Sequence, residues 1–275
     1  MPVSDDVEIG AQRDPDFIRR AIPVLETYVR WFRPEVRGFD RLPPEGPFLV
    51  VGNHSGGTTT PDLPILMTRW WRERGVDEPV YGLFHSAFLG LPGIGTTVQR
   101  AGALEAGWDN AEAILRRGGI VIVYPGGDHE ALRPLRDRDR IDFAGRTGFL
   151  ELALRTGVPI VPVVSCGAHD TVLVLSRGER LAARMPLARQ LRVKAMPVTI
   201  GLPWGVAIGG LPTVPLPAKV VVELCPPIDV SAEFGGPTTV DDADRLQSAY
   251  DRVTGTMQDV LDRLAAERPG QRWVE

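Results

Sequence analysis

The chain has 275 residues, 43% of them apolar, which suits one enzyme-sized domain with a substantial core. A net charge of −4 gives the chain as a whole no electrostatic reason to bind nucleic acid. Cys166 and Cys225 are the only cysteines, and neither has a neighbour at metal-ligand or redox spacing, so no metal is expected and both should be reduced, partly buried thiols.

The N-terminus is acidic and lacks an apolar core of signal-peptide length, so a cytoplasmic protein is expected. Over residues 14–33, Phe17, Ile18, Ile22, Leu25, Tyr28, Val29 and Phe32 recur at helical spacing among arginines, which predicts an amphipathic helix. That helix either packs on the domain or lies in a membrane interface with a basic rim and Trp31. Residues 47–52 read as a buried strand that runs out at His54. The next helix is expected to take Thr60 as N-cap, Pro61 as first residue and Asp62 just inside.

Residues 79–84 predict a second strand, and Asp109 is expected to cap a helix through Ala111, Ile114 and Leu115 that stops at Gly118-Gly119. A strand over residues 120–124 then breaks into Pro125-Gly126-Gly127-Asp128-His129-Glu130. A helix over residues 145–156 closed by Gly157 and a strand over residues 159–164 follow. Residues 195–218 carry no charge but five prolines, too many for a membrane-spanning helix, so this segment is not expected to cross a membrane; resting on its surface or lining an acyl pocket stays open. Residues 219–225 predict a central strand, and residues 241–267 a long amphipathic helix through Leu246, Tyr250, Val253, Met257, Val260, Leu261 and Leu264.

Strands separated by helices predict a single α/β domain over residues 1–275, with a mostly parallel central sheet flanked by helices and a site along one sheet edge. A strand ending at a histidine and another ending at a Gly-Gly turn can present a base and backbone N–H groups to one crevice. Acyl transfer needs that pairing, a proton acceptor and an oxyanion binder.

These residues resemble the PlsC-like (lysophospholipid) glycerolipid acyltransferase superfamily, with a glycerol-3-phosphate acyltransferase-like fold, closest to its monoacylglycerol and diacylglycerol acyltransferase-like branch. The resemblance runs from Arg37 to Asp229 in four ordered blocks: Gly52-Asn53-His54 through Asp62; residues 95–106 with Arg100; Tyr124-Pro125-Gly126-Gly127 through Leu132; and residues 158–163. It implies His54 as general base and Asp62 as its acid, with Gly126, Gly127, Glu130 and Arg100 on the substrate. It also implies acyl-CoA or acyl carrier protein as donor with no further cofactor, a lipid hydroxyl as acceptor, and attachment to the inner face of the cell membrane.

Two departures stand out. Seven residues separate His54 from Asp62 where the family usually has four, and the Gly56-Gly57-Thr58 stretch can bulge to absorb the excess. Asp62 has a second reading, an acid stabilising a helix's first turn, which leaves Glu130 and Asp128 as reserve partners for the histidine. In the third block, Gly126, Asp128 and His129 stand at the Glu, Thr and Arg positions of the Pro-Glu-Gly-Thr-Arg-type block of phosphate-using members, whose arginine can pair with the acceptor phosphate. Arg100, Arg133 and Arg136 are the substitutes. His85, His129 and His169 read as structural or surface residues. A lipid-binding protein of the same fold and an acyl-thioester hydrolase are the alternatives, although no Gly-x-Ser-x-Gly elbow supplies a serine nucleophile.

Overall fold

A computed structural model describes residues 9–57, 59–185, 195–209, 211 and 213–268. The acidic N-terminal residues, Thr58 and part of the uncharged segment lie outside them.

The helix α1 (Pro15–Arg30) begins at Asp14, whose side chain accepts from the Phe17 N–H, and buries Ile18, Ile22 and Val29. The strands β1 (Glu35–Arg37), β2 (Phe48–Gly52), β3 (Val80–Phe84), β4 (Ala103–Glu105), β5 (Ile120–Val123), β6 (Ile160–Cys166) and β10 (Val221–Leu224) form one sheet. Its order is β1-β10-β6-β2-β5-β3-β4. From β6 to β4 all pairings are parallel, whereas β10 runs antiparallel to β6 and carries β1 parallel to itself at the edge. This is the mostly parallel α/β architecture the sequence predicts, and β10 lies inside the sheet, fully buried.

Both faces are covered because β2 alternates between two cores. Phe48 and Val50 pack with Ile65, Leu66 and Trp70 of α2 (Asp62–Glu73), while Leu49 and Val51 pack with Leu115, Leu150 and Met257 on the other face. Those three come from α5 (Trp108–Arg116), α7 (Gly148–Thr156) and the C-terminal helix Ala243–Ala266. Strands buried on both sides read as continuous apolar runs, which explains how the sequence exposes them.

Several boundaries shift. Thr60 is not the N-cap of α2; it takes a φ of +31° and Pro61 occupies the cap position without a side-chain bond. Gly107 rather than Asp109 precedes α5, and Asp109 sits in its first turn. Between β3 and β4 lie α3 (Ser86–Leu89) and α4 (Ile94–Arg100), and after β5 comes the short α6 (Gly127–Ala131). A second, three-stranded antiparallel sheet is built from β7 (Leu173–Ser176), β8 (Val198–Gly201) and β9 (Gly205–Ile208), with α8 (Glu179–Arg184) following β7. The uncharged segment therefore folds in part as a β-hairpin. No helix among the described residues is long and apolar enough to cross a membrane. Both cysteines are free and buried, and burial pushes both thiols up, Cys225 to about 11.

Candidate active site

The site forms where β2, flanked by β5 and β6, ends. Asn53, buried, fixes the exit: its amide donates to the Ser165 carbonyl at 3.0 Å and accepts from the Ser165 N–H at 2.7 Å. The next residue is His54. The chain then turns back through Gly56 and Gly57, whose φ values of +93° and +62° belong to the left-handed region that glycine enters without steric cost. A Cβ on Gly56 would come within 2.5 Å of Pro61, so the loop closes only around glycine.

This reversal brings Asp62, at the start of α2, back to the histidine. Asp62 Oδ2 lies 3.1 Å from His54 Nδ1 and accepts from the Ser55 N–H at 3.0 Å, while Oδ1 accepts from the Leu63 N–H at 2.9 Å. Asp62 is 1% exposed. An ionised carboxylate only accepts, so Nδ1 carries the hydrogen and Nε2 holds the lone pair. Nε2 has no hydrogen-bond partner among the described residues, and the His54 side chain is 21% exposed. Burial pushes the imidazole pKa down, but the charge and hydrogen bond of Asp62 and the charge of Glu130 outweigh it, leaving His54 above the ordinary value.

Tyr124, at the end of β5, lies against the imidazole with ring centroids 4.7 Å apart. Gly52 makes room for that ring, because a Cβ there would sit 2.6 Å from Tyr124 Cε1. Sequence reasoning missed Tyr124 as a wall of the site.

Glu130 has a different place from the one expected. It is fully buried, with no surface to offer a substrate. Its Oε2 accepts from the His54 backbone N–H at 3.0 Å, and Oε1 accepts from Arg133 Nη2 at 2.9 Å and from the Asp142 N–H at 3.1 Å. Glu130 thus holds the backbone of His54, while Asp62 holds the ring. Asp128, the other reserve acid, is solvent-facing and lies 3.5 Å from Arg146.

The Gly-Gly turn also differs in detail. Gly127 takes φ +47° and spends its N–H on the Tyr124 carbonyl at 3.0 Å, so it is not an oxyanion donor. The Gly126 N–H donates to nothing among the described residues. Gly126 must be glycine because a Cβ would overlap the Glu130 side chain. Arg146, without a signal in the sequence, clamps the turn by donating from Nη1 to the Pro125 and Gly126 carbonyls, both at 2.7 Å.

Arg100 is engaged elsewhere: Nη2 lies 2.7 Å from Asp14 Oδ2 and the guanidinium sits 4.3 Å from the Phe17 ring centroid, tying α4 to α1. Arg133 is committed to Glu130, and Arg136 is exposed. His85 caps α3, and His129 bridges Asp142 and Arg177. His169 is buried with neither ring nitrogen hydrogen-bonded among the described residues; burial, with the nearby charges of Arg133, His54 and Arg138, lowers its pKa to about 3.

Beside the His54–Asp62 loop lies an apolar cavity of about 280 Å³, lined by Thr59 and Thr60 of that loop and by Leu25, Leu63, Met67, Trp71 and Phe88. A base on an acid, a backbone N–H at a glycine turn and an adjoining apolar cavity are the parts that acyl transfer from a thioester with a long chain requires.

The acyltransferase family matches over residues 33–166, which span the His54 loop and the Gly126 turn. An uncharacterized protein of Mycobacterium tuberculosis is 31% identical over 257 residues, 93% of this chain and 68% of the relative. A cattle protein named a DGAT1/2-independent enzyme synthesizing storage lipids is 26% identical over 84% of this chain and 64% of its own. The crystal structure of PlsC, the 1-acyl-sn-glycerophosphate acyltransferase of Thermotoga maritima, shares the fold with a TM-score of 0.56 and 18% identity, covering 94% of this chain and 81% of that one. The chain belongs to the acyltransferase family and is an acyltransferase.

Proposed function

We propose that the protein moves a fatty acyl group from an acyl thioester, acyl-CoA or acyl carrier protein, to a hydroxyl of a glycerolipid or related lipid, with His54 as general base. The observation that carries this reading is the 3.1 Å contact between His54 Nδ1 and Asp62 Oδ2, with Nε2 left unengaged among the described residues.

The acceptor hydroxyl gives its proton to Nε2 as its oxygen bonds to the thioester carbonyl carbon, and the carbonyl electron pair moves onto oxygen. Asp62 stabilises the imidazolium that forms. The Gly126 N–H donates to the developing oxyanion, a kind of interaction worth about 2.7–4 kcal/mol in other enzymes. On collapse the C–S bond breaks, and the departing thiolate takes the proton back from His54 to give a thiol and an ester. No covalent enzyme intermediate is needed. The acyl chain occupies the apolar cavity beside Thr59 and Thr60.

His129, already shared between Asp142 and Arg177, stands where a phosphate-pairing arginine would be, which supports an uncharged acceptor such as a mono- or diacylglycerol. The enzyme works as a peripheral protein on the cytoplasmic face of the cell membrane.

The test is incubation with labelled acyl-CoA and a panel of monoacylglycerol, diacylglycerol, lysophosphatidate and glycolipid acceptors. Acceptor-dependent thiol release with a labelled ester is expected, falling about 10²–10⁴-fold in His54→Ala. Equal thiol release without acceptor would make the protein a hydrolase, and no release at all would make it a binder.

A further inference from the structure

The sheet β7-β8-β9 turns an apolar face to solvent. Its inward positions, Val174, Thr199 and Ala207, are buried, as the period of a strand requires. The alternate positions Ile200, Val206 and Ile208 are 37%, 66% and 51% exposed, with Leu202 and Trp204 at the turn between the strands 57% and 55% exposed. The register sets Ile200 opposite Val206 and Val198 opposite Ile208, so these side chains share one face. A water-facing sheet places polar residues there, yet residues 195–218 contain no Asp, Glu, Lys or Arg.

Three observations give this face an occupant. First, it is continuous with α1: Trp31 Nε1 donates to the Pro215 carbonyl at 2.8 Å, and Val24, Tyr28 and Trp31 stand at i, i+4 and i+7 on one exposed apolar stripe. Second, α1 leads to the site, because Leu25 lines the apolar cavity. Third, Val198 borders a cleft of about 720 Å³ whose walls carry Arg133, Arg136, Arg140, Arg177 and Arg180 against Asp137, Asp142 and Glu179, an excess of cations. Arg140 and Arg180 form no ion pair among the described residues. A chain of net charge −4 thus has a local excess of positive charge beside its exposed apolar sheet.

We propose that the outer face of the β8–β9 hairpin seats the protein on an anionic bilayer, with Trp204 at the boundary of headgroups and acyl chains and the neighbouring arginines on lipid phosphates. Apolar side chains leave water, guanidinium groups pair with phosphate, and tryptophan suits the interface. The proposal deepens the reading of a membrane-lipid acyltransferase by naming the surface that meets the membrane.

The experiment is co-sedimentation of the full chain with phosphatidylcholine vesicles, with and without phosphatidylglycerol, alongside Leu202→Ser/Val206→Ser and Arg140→Glu/Arg180→Glu. Wild type should bind the phosphatidylglycerol vesicles. The hairpin variant should bind at least about tenfold more weakly, since two apolar side chains no longer leave water. The arginine variant should lose its preference for phosphatidylglycerol. Melting temperature checks that the hairpin variant is folded, and Trp204→Ser alone supplies the reading if it is not. Undiminished binding by the folded variant overturns the proposal, as does a wild-type dimer in sedimentation that the variant dissolves. Vesicle binding without any acyl transfer would sink the proposed activity and leave the docking face standing.

Discussion

His54 Nδ1 and Asp62 Oδ2 meet at 3.1 Å although seven residues separate them, because Gly56 and Gly57 turn the intervening loop through left-handed backbone. The longer gap is therefore absorbed by the loop, and the contact is kept. Asp62 gains a further role from the same geometry: it ties the Ser55 N–H to the start of α2, so one carboxylate fixes both the loop and the ring.

Asp62→Asn should separate these roles. With Asp62 present, His54 titrates above its ordinary value of about 6.5, so kcat/KM should rise with pH through a midpoint above that value. The amide removes the charge and leaves burial, the opposing influence, in force. The midpoint should then fall, and kcat should drop about 10²–10⁴-fold. A pH profile of kcat/KM for both proteins measures this, and an unmoved midpoint would show that Asp62 does not bear on the imidazole.

Glu130 and Arg133 are a buried ion pair, their side chains 0% and 5% exposed. Glu130→Ala should destabilise the protein by about 3–5 kcal/mol, because Arg133 keeps its charge without a partner while the N–H groups of His54 and Asp142 lose their acceptor. Urea unfolding gives the value. A loss below about 1 kcal/mol would mean that water or another group replaces the carboxylate.

His169 makes stability sensitive to acid. Its folded pKa of about 3 lies below the unfolded value of about 6.5, so between these pH values the unfolded chain binds a proton that the native one refuses. Stability falls as pH drops through that window, by several kcal/mol in all. The His54–Asp62 pair acts oppositely: with the His54 pKa raised, its contribution is complete below about pH 6.5 and disappears as pH rises through the folded value. His169→Gln should flatten the acid limb of a plot of unfolding free energy against pH, and an unchanged limb would show that other groups set it.

The sheet was legible because its inner strands are buried on both faces and so appear as apolar runs, as in residues 48–52 and 160–164. The β8–β9 hairpin was not, since its outward positions carry Ile200, Val206 and Ile208 where the alternation of an exposed strand would place polar side chains.

By itself the sequence determined the α/β class, the strand end that carries His54 and the glycine turn after β5, because hydrophobic period and glycine placement are local properties. Only the tertiary structure decided which acid reaches the ring. Asp62, Glu130 and Asp128 are equivalent as residue types, and their roles differ through where the chain brings them: Asp62 onto Nδ1, Glu130 under the backbone and Asp128 into solvent. It likewise decided that Arg100 serves Asp14 and that Gly127 spends its N–H within the turn. A hydrogen bond between residues far apart in the chain depends on distances that packing alone creates.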